Sequence, residues 1–347
     1  MNKLFKYFFF FTAGLFEYTY FTAYAATNTV TTSSIASNPA AVNILAGTGD
    51  AQTYIEKKLG IQNNHGIRIG GSFIGDTNYL FSGGVPQAKK STSDGLFILD
   101  FSVNTEKFIG WKGGLFDAQF LQFNGQNTNG QAGTVQGYNS LPGAPPLHRS
   151  ELYQLWYRQA LFDEKLIVRV GKSVPTFDFG NVIKPVPLTD ERLFIPAVSG
   201  LIYTPLFVNA SMLGVMPGYY NSAYGLTINF APVKKWYLSY GIYDGRGASG
   251  VQTGLRALEF NGSYFQIAET GWSWLLGKDQ KPGSMGIGLW YQNGLVESSS
   301  GLTEHGTSGY YIFGSQRLWY RNPSQDESGI SSFYQYGPTR LGNPLEC

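Results

Sequence analysis

Cysteine is almost missing from this chain: the one present is Cys347, the last of 347 residues. That excludes an internal disulfide framework and a cysteine-based zinc site. Charge is scarce too. Asp, Glu, Lys and Arg make up 14% of the chain, against about 25% in ordinary globular domains. The net charge of +2 carries none of the basic excess that a nucleic-acid partner would require. Histidine is limited to His65, His148 and His305, with no His-x-x-x-His or His-Glu-x-x-His spacing for a metal. There is no Gly-x-Ser-x-Gly elbow, phosphate loop or dinucleotide fingerprint, so neither an enzyme nor a cofactor is expected. Beyond the N-terminus no apolar run reaches the ~20 residues that a membrane-crossing helix needs.

What the chain has instead is glycine, 44 residues, and aromatic side chains at 16%, a composition of strands and turns. Residues 1–25 read as an export signal, with Lys3 and Lys6 ahead of the apolar run Tyr7–Phe16 and the small-x-small site Ala23-Tyr24-Ala25 before Ala26. An uncleaved anchor would need a longer run. Residues 26–60 start with a Ser/Thr/Asn-rich stretch, after which Asp50 is placed to cap a short helix Ala51–Leu59 that Gly60 ends. This is read as an N-terminal periplasmic segment, and residues 61–347 as the sheet domain.

The stretch Ser150–Lys172 shows how that domain is built. At period two, Tyr153, Leu155 and Tyr157 fall on one face and Gln154, Trp156 and Arg158 on the other. After the turn Phe162–Lys165 the pattern resumes, with Leu166, Val168 and Val170 opposed to Ile167, Arg169 and Gly171. Strands joined this closely form an antiparallel hairpin. A soluble sheet would turn its apolar face inward; a membrane barrel turns it to lipid and its arginines to a lumen.

The same alternation predicts strands at 66–75, 95–104, 114–123, 152–161, 166–172, 224–230, 236–243, 263–274, 284–292, 309–319 and 329–336. Long connections (76–94, 124–151, 173–223, 244–262, 293–308) alternate with shorter ones (105–113, 162–165, 231–235, 275–283, 320–328), as extracellular loops alternate with periplasmic turns in outer-membrane barrels. The faces agree. Phe97, Leu99, Phe101 and Val103 oppose Asp100, Ser102 and Asn104, and Met285, Ile287, Leu289 and Tyr291 oppose Gly286, Gly288 and Trp290. Trp111, Trp236, Tyr237, Trp272, Trp274, Trp319 and Tyr320, near strand ends, suit interfacial girdles. The fold class expected is an all-β, antiparallel transmembrane β-barrel.

Six short motifs in order carry a family resemblance: Gly75-Asp76, Ile109-Gly-Trp-Lys-Gly-Gly114, Leu152-Tyr-Gln-Leu-Trp-Tyr157, Lys165-Leu-Ile-Val-Arg-Val-Gly171, Gly241-Ile-Tyr-Asp-Gly245 and Glu269-Thr-Gly-Trp272. From about Ala51 to Gly337 the chain resembles the carbohydrate-selective porins of the OprB type. The resemblance implies an outer-membrane barrel of about sixteen strands, placed in a Gram-negative bacterium by the outer-membrane assembly machinery. It implies sugars as transported solutes, outer-membrane lipid around the barrel, and a monomer or a homotrimer. The end departs from the pattern: Leu341–Cys347 lacks a terminal strand closing on an aromatic residue, and eleven strands are about five too few. The expectation is therefore a C-terminally shortened member.

A channel for neutral sugars needs charged and amide groups for hydroxyls, plus aromatic faces for pyranose C–H surfaces. On the expected inner face those types are Arg68, Asp100, Asp117, Gln119, Gln154, Trp156, Arg158, Arg169, Glu269 and Trp290. Glu269 shares its phase with Phe265 and Ile267, so either a bulge intervenes or the carboxylate faces the wrong way. The connection 173–223 is long enough to fold inward and narrow the passage. Two alternatives stand beside the porin: an exported soluble β-protein that binds glycans, and a truncated porin without function.

Overall fold

The computed structural model describes residues 54–61, 65–133, 139, 141, 147–175, 178–180, 222–245, 263–297, 303–322 and 328–338. All belong to one compact unit, Ala36–Cys347. The export signal expected at 1–25 and most of the connection 173–223 lie outside the described residues.

The described residues form a single antiparallel sheet of eleven strands. They are β1 (Ile67–Tyr79), β2 (Ser91–Asn104), β3 (Gly114–Asn124), β4 (His148–Leu161), β5 (Leu166–Ser173), β6 (Ala223–Val233), β7 (Trp236–Asp244), β8 (Tyr264–Leu276), β9 (Lys281–Glu297), β10 (Thr303–Tyr320) and β11 (Gly329–Tyr336). Each strand pairs with the next in sequence, leaving β1 and β11 as the two edges. All eleven expected strands are present, several of them longer toward the long-connection end. Pairing of Leu295 with His305 and Glu297 with Thr303 cuts the connection expected at 293–308 down to 298–302.

Local chemistry accounts for the short connections. Residues 105–109 fold into helix α2 (Thr105–Ile109), whose N-terminus is capped by the Asn104 side chain and whose end is closed by Gly110 at φ 77°. At the β4–β5 turn Phe162, Asp163 and Glu164 take φ of 56°, 54° and 62°, a tight left-handed reversal. Helix α1 (Tyr54–Leu59) precedes β1, and helix α3 (Thr128–Ala132) follows β3.

The two faces differ in a way that inverts a soluble protein. The polar face is buried, with Asp100, Asp117, Gln119, Gln154, Thr227, Ser239 and Glu269 almost without exposure; the apolar face is open, with Phe97, Leu99, Leu238, Met285 and Ile287 exposed and Leu289 at 62%. Apolar side chains on the polar face collect toward one end, where Leu96, Ile98, Leu121, Phe123, Tyr153 and Val174 form a buried cluster.

Tyr153 corrects an expectation. Gln119 pairs with Gln154 while Phe120 pairs with Leu152, so Tyr153 is an extra residue in β4. The bulge reverses the phase of everything before it. Tyr153 leaves the face of Leu155 and Tyr157 for the buried one, together with Glu151 and Arg149. A second kink, at Gly171 with φ 132°, sends Lys172 inward out of phase: it is fully buried, and its Nζ donates to the Leu152 carbonyl at 2.7 Å. A Cβ on residue 171 would collide with the Leu155 backbone, so glycine is required there.

Tyr237 is the other reversal. Expected in an aromatic girdle, it is 1% exposed on the inner face. Trp111, Trp272 and Trp319 do stand exposed on the outside.

Candidate functional site

The inner face carries the functional groups, and it has two centres. The first spans β2 to β5. Gln119 Nε2 donates to Asp100 Oδ1 at 2.8 Å, Gln154 Nε2 donates to Gln119 Oε1, and Trp156 Nε1 donates to Gln154 Oε1 at 3.3 Å. Strand alternation puts one such residue on each neighbouring strand, and the register aligns them: Asp100 faces Gln119, and Gln119 faces Gln154. Beside this chain lie Asp117 and its cross-strand partner Trp156. The Arg169 guanidinium lies over the Trp156 ring, 5.5 Å from its centroid, a cation–π geometry.

Arg158 and Arg169 are direct cross-strand partners. Like charges so placed repel unless balanced. Arg169 forms an ion pair with Asp178, and Arg158 has Glu164 at 3.9 Å. Asp117 itself, 0% exposed, has neither carboxylate oxygen in a protein hydrogen bond among the described residues.

The second centre spans β6 to β10 and is organised by glycine. Five inward aromatic residues each face a glycine as direct cross-strand partner: Tyr237 with Gly271, Tyr243 with Gly225, Trp290 with Gly309, Tyr311 with Gly288, and Phe313 with Gly286. At each glycine an added Cβ would fall closer than 3.0 Å to the partner ring. The rings therefore lie down over the bare backbone instead of standing into the lumen. Laid flat, Tyr237 and Tyr311 converge on Glu269: Tyr237 Oη donates to Oε1 at 2.6 Å and Tyr311 Oη to Oε2 at 2.6 Å. The Gly180 backbone N–H donates to Oε2, also at 2.6 Å.

Both expectations for Glu269 are thereby corrected. β8 pairs with β7 and β9 without a register shift, so no bulge rescues the carboxylate, and yet it points inward. Phe265 and Ile267 point inward with it, buried at 0% and 1%; the inner face at this point is itself partly apolar, with Phe265 stacked on Trp290 at 6.2 Å.

The ten residues expected on the inner face thus fall into three groups. Asp100, Asp117, Gln119, Gln154, Trp156, Arg158 and Arg169 come together on β2 to β5. Glu269 and Trp290 belong to the second centre. Arg68 joins neither: its Nε donates at 2.7 Å to Glu56 of helix α1, whose Oε1 also accepts from Ile69 N at 2.9 Å, which ties the helix to the start of β1. Only the arginines keep appreciable access, with side-chain exposures of 11% for Arg68, 28% for Arg158 and 14% for Arg169. The other seven are buried. Tyr311, Tyr243 and Glu56 went unpredicted. The sequence signal for the tyrosines was the run Gly286-x-Gly288 in a strand otherwise suited to large side chains, which marks where neighbouring rings must lie. Among the described residues no group of His, Cys, Asp or Glu is arranged to hold a metal ion.

An up-and-down antiparallel sheet with an apolar flank open and a hydrogen-bonded polar flank enclosed is the wall of an outer-membrane β-barrel porin. A family model, carbohydrate-selective porin of the OprB family, matches residues 88–342. The chain belongs to the OprB family of carbohydrate-selective porins. It is similar to Porin B of Pseudomonas aeruginosa, 27% identical over 242 residues that make up 65% of this chain and 48% of that protein. It thus spans about half the length of this curated relative. In fold it is similar to the structure of Pseudomonas putida OprB determined at high pH, with a TM-score of 0.61 and 16% identity, over 82% of this chain and 69% of the other.

Proposed function

We propose that the protein is an outer-membrane channel through which carbohydrates diffuse in water, their hydroxyls exchanging solvent for the arginines of the inner face. The observation that carries this reading is the inversion of polarity across one sheet: Leu289 open at 62% and its strand neighbours Gly288 and Trp290 enclosed. Outer-membrane lipid covers the apolar flank. Insertion relies on the assembly machinery of that membrane, and the chain works as a monomer or as a homotrimer. Arg158 and Arg169 are the groups placed to meet a solute, because a guanidinium presents a planar fork of donors to vicinal hydroxyls and keeps its charge at every relevant pH. Residues 61–347 form the channel domain, and residues 1–25 direct export.

Liposome swelling tests the function. Vesicles carrying the protein are expected to swell faster in glucose than in a charged solute of similar size; equal rates would leave a general porin with no preference for sugar. Labels placed singly along β4 test the orientation. A lipid-soluble quencher is expected to reach a label at Leu155 and to miss one at Tyr153, because the bulge separates their faces. Quenching at 153 with none at 155 would turn the wall inside out.

The glycan-binding soluble protein shares the aromatic content but offers no reason for the exposed apolar flank. Fractionation separates the two, since only the channel requires detergent for extraction.

A further inference from the structure

Three contacts hold the segment that follows β5 against the inner wall. Asp178 pairs with Arg169 of β5. The Phe179 ring, fully buried, lies over Gly241 of β7, where an added Cβ would come within 3.0 Å of it. Gly180 N donates to Glu269 of β8. In three residues the backbone thus crosses from β5 to β8 along the polar face, at the level where the wall offers glycine instead of a side chain.

Glu269 takes part in this crossing without facing the lumen. It is 2% exposed, and its three donors come from β7, from β10 and from the crossing segment itself. A buried carboxylate needs such donors, and two of them are supplied by tyrosines that neighbouring glycines keep flat. The wall therefore presents a preformed acceptor, and the Gly180 N–H completes its shell.

We propose that Glu269 is a positioning residue for the channel: it fastens segment 178–180 across the inner wall and so narrows the passage, touching no solute itself. This rests on the porin reading above. Solutes then meet Asp178 and Arg169 as a pair whose placement is set from β8, on the far side of β6 and β7.

The test uses the full chain with Cys347→Ser, so that a cysteine introduced by Phe179→Cys is the single thiol. With Glu269 present, an aqueous maleimide is expected to label position 179 slowly. With Glu269→Ala the rate should rise about tenfold or more, the change that follows loss of a hydrogen bond to a charged group. Tyr237→Phe and Tyr311→Phe, each removing one wall donor while Gly180 keeps its acceptor, should raise it less. A cysteine at Ser102, buried on β2, reports general loosening and should label at an unchanged rate. In planar bilayers Glu269→Ala should raise single-channel conductance and weaken block by added sugar. Equal labelling at 179 with and without Glu269 overturns the fastening, as does a parallel rise at 102. Faster labelling at unchanged conductance overturns the narrowing. A parent protein that forms no channel at all overturns the porin reading and the narrowing with it, while the labelling rates still decide whether Glu269 holds the segment.

Discussion

Leu289→Arg is expected to cost the membrane-inserted form about 2–4 kcal/mol, the penalty for a cation facing lipid near the bilayer midplane. Leu289 is the central residue of β9, which runs from Lys281 to Glu297. Among the described side chains it is the most exposed apolar residue of that strand, and its cross-strand neighbours are Ala268 and Tyr310. In a soluble protein the same substitution at an exposed site would change stability by only about 0.5 kcal/mol in either direction, so the sign and size of the effect separate the two environments. Urea-dependent folding into lipid vesicles measures it. Met285→Arg, four residues nearer the strand end, should cost less, because the penalty falls to about 0–1 kcal/mol near the interface. A Leu289→Arg chain that folds into vesicles as well as its parent would remove the case for a lipid-facing flank.

The residue beside it gives the second large effect, for the opposite reason. Gly288 faces inward, and its pairing partners are Tyr311 and Glu269. A Cβ there would overlap the Tyr311 ring. The ring cannot retreat into lumen space without surrendering its hydrogen bond to Glu269. Gly288→Val therefore combines overpacking, about 1–3 kcal/mol, with a buried carboxylate deprived of one donor, about another 1–3 kcal/mol. The temperature at which the compact form in detergent gives way to the slow-migrating unfolded form on gels should drop clearly. Gly288→Ala should lie in between. A valine variant that melts with its parent would mean that the tyrosine is not held over the glycine at all. Substitutions at 288 and 289, adjacent in the chain, thus probe opposite sides of one wall: one is limited by space, the other by solvent.

Much of the wall was legible in advance because a strand announces itself locally. Phe97, Leu99, Phe101 and Val103 alternate with polar residues at a period that a pleated strand alone explains, and so do Leu226, Ile228 and Phe230. Strand ends were less legible. β9 and β10 extend beyond their expected limits because their partners continue to offer backbone hydrogen bonds, a property of the pair and not of either segment. The inner face was legible as to residue type and not as to partner. Asp100, Gln119 and Gln154, read from the sequence as inner-face groups, bond to one another, since the register sets complementary amides and a carboxylate side by side. Tyr153 and Tyr237 were assigned to the lipid side. The first was displaced by an extra residue that no period-two pattern contains. The second shares its strand phase with Ser239 and Tyr243, which face inward.

Period-two alternation and the turn spacings come from the order of residues alone, because each depends on neighbours a few positions apart. Those features sufficed for the strand count and the polarity of the two flanks, and six short motifs carried the resemblance to the family. The partner of each polar group depended on three-dimensional pairing. Where Gly271 and Gly288 come to lie beneath tyrosine rings, and where the backbone past β5 meets a carboxylate eighty-nine positions later, is decided by register accumulated across many strands, and one bulge or one kink anywhere along the way resets it.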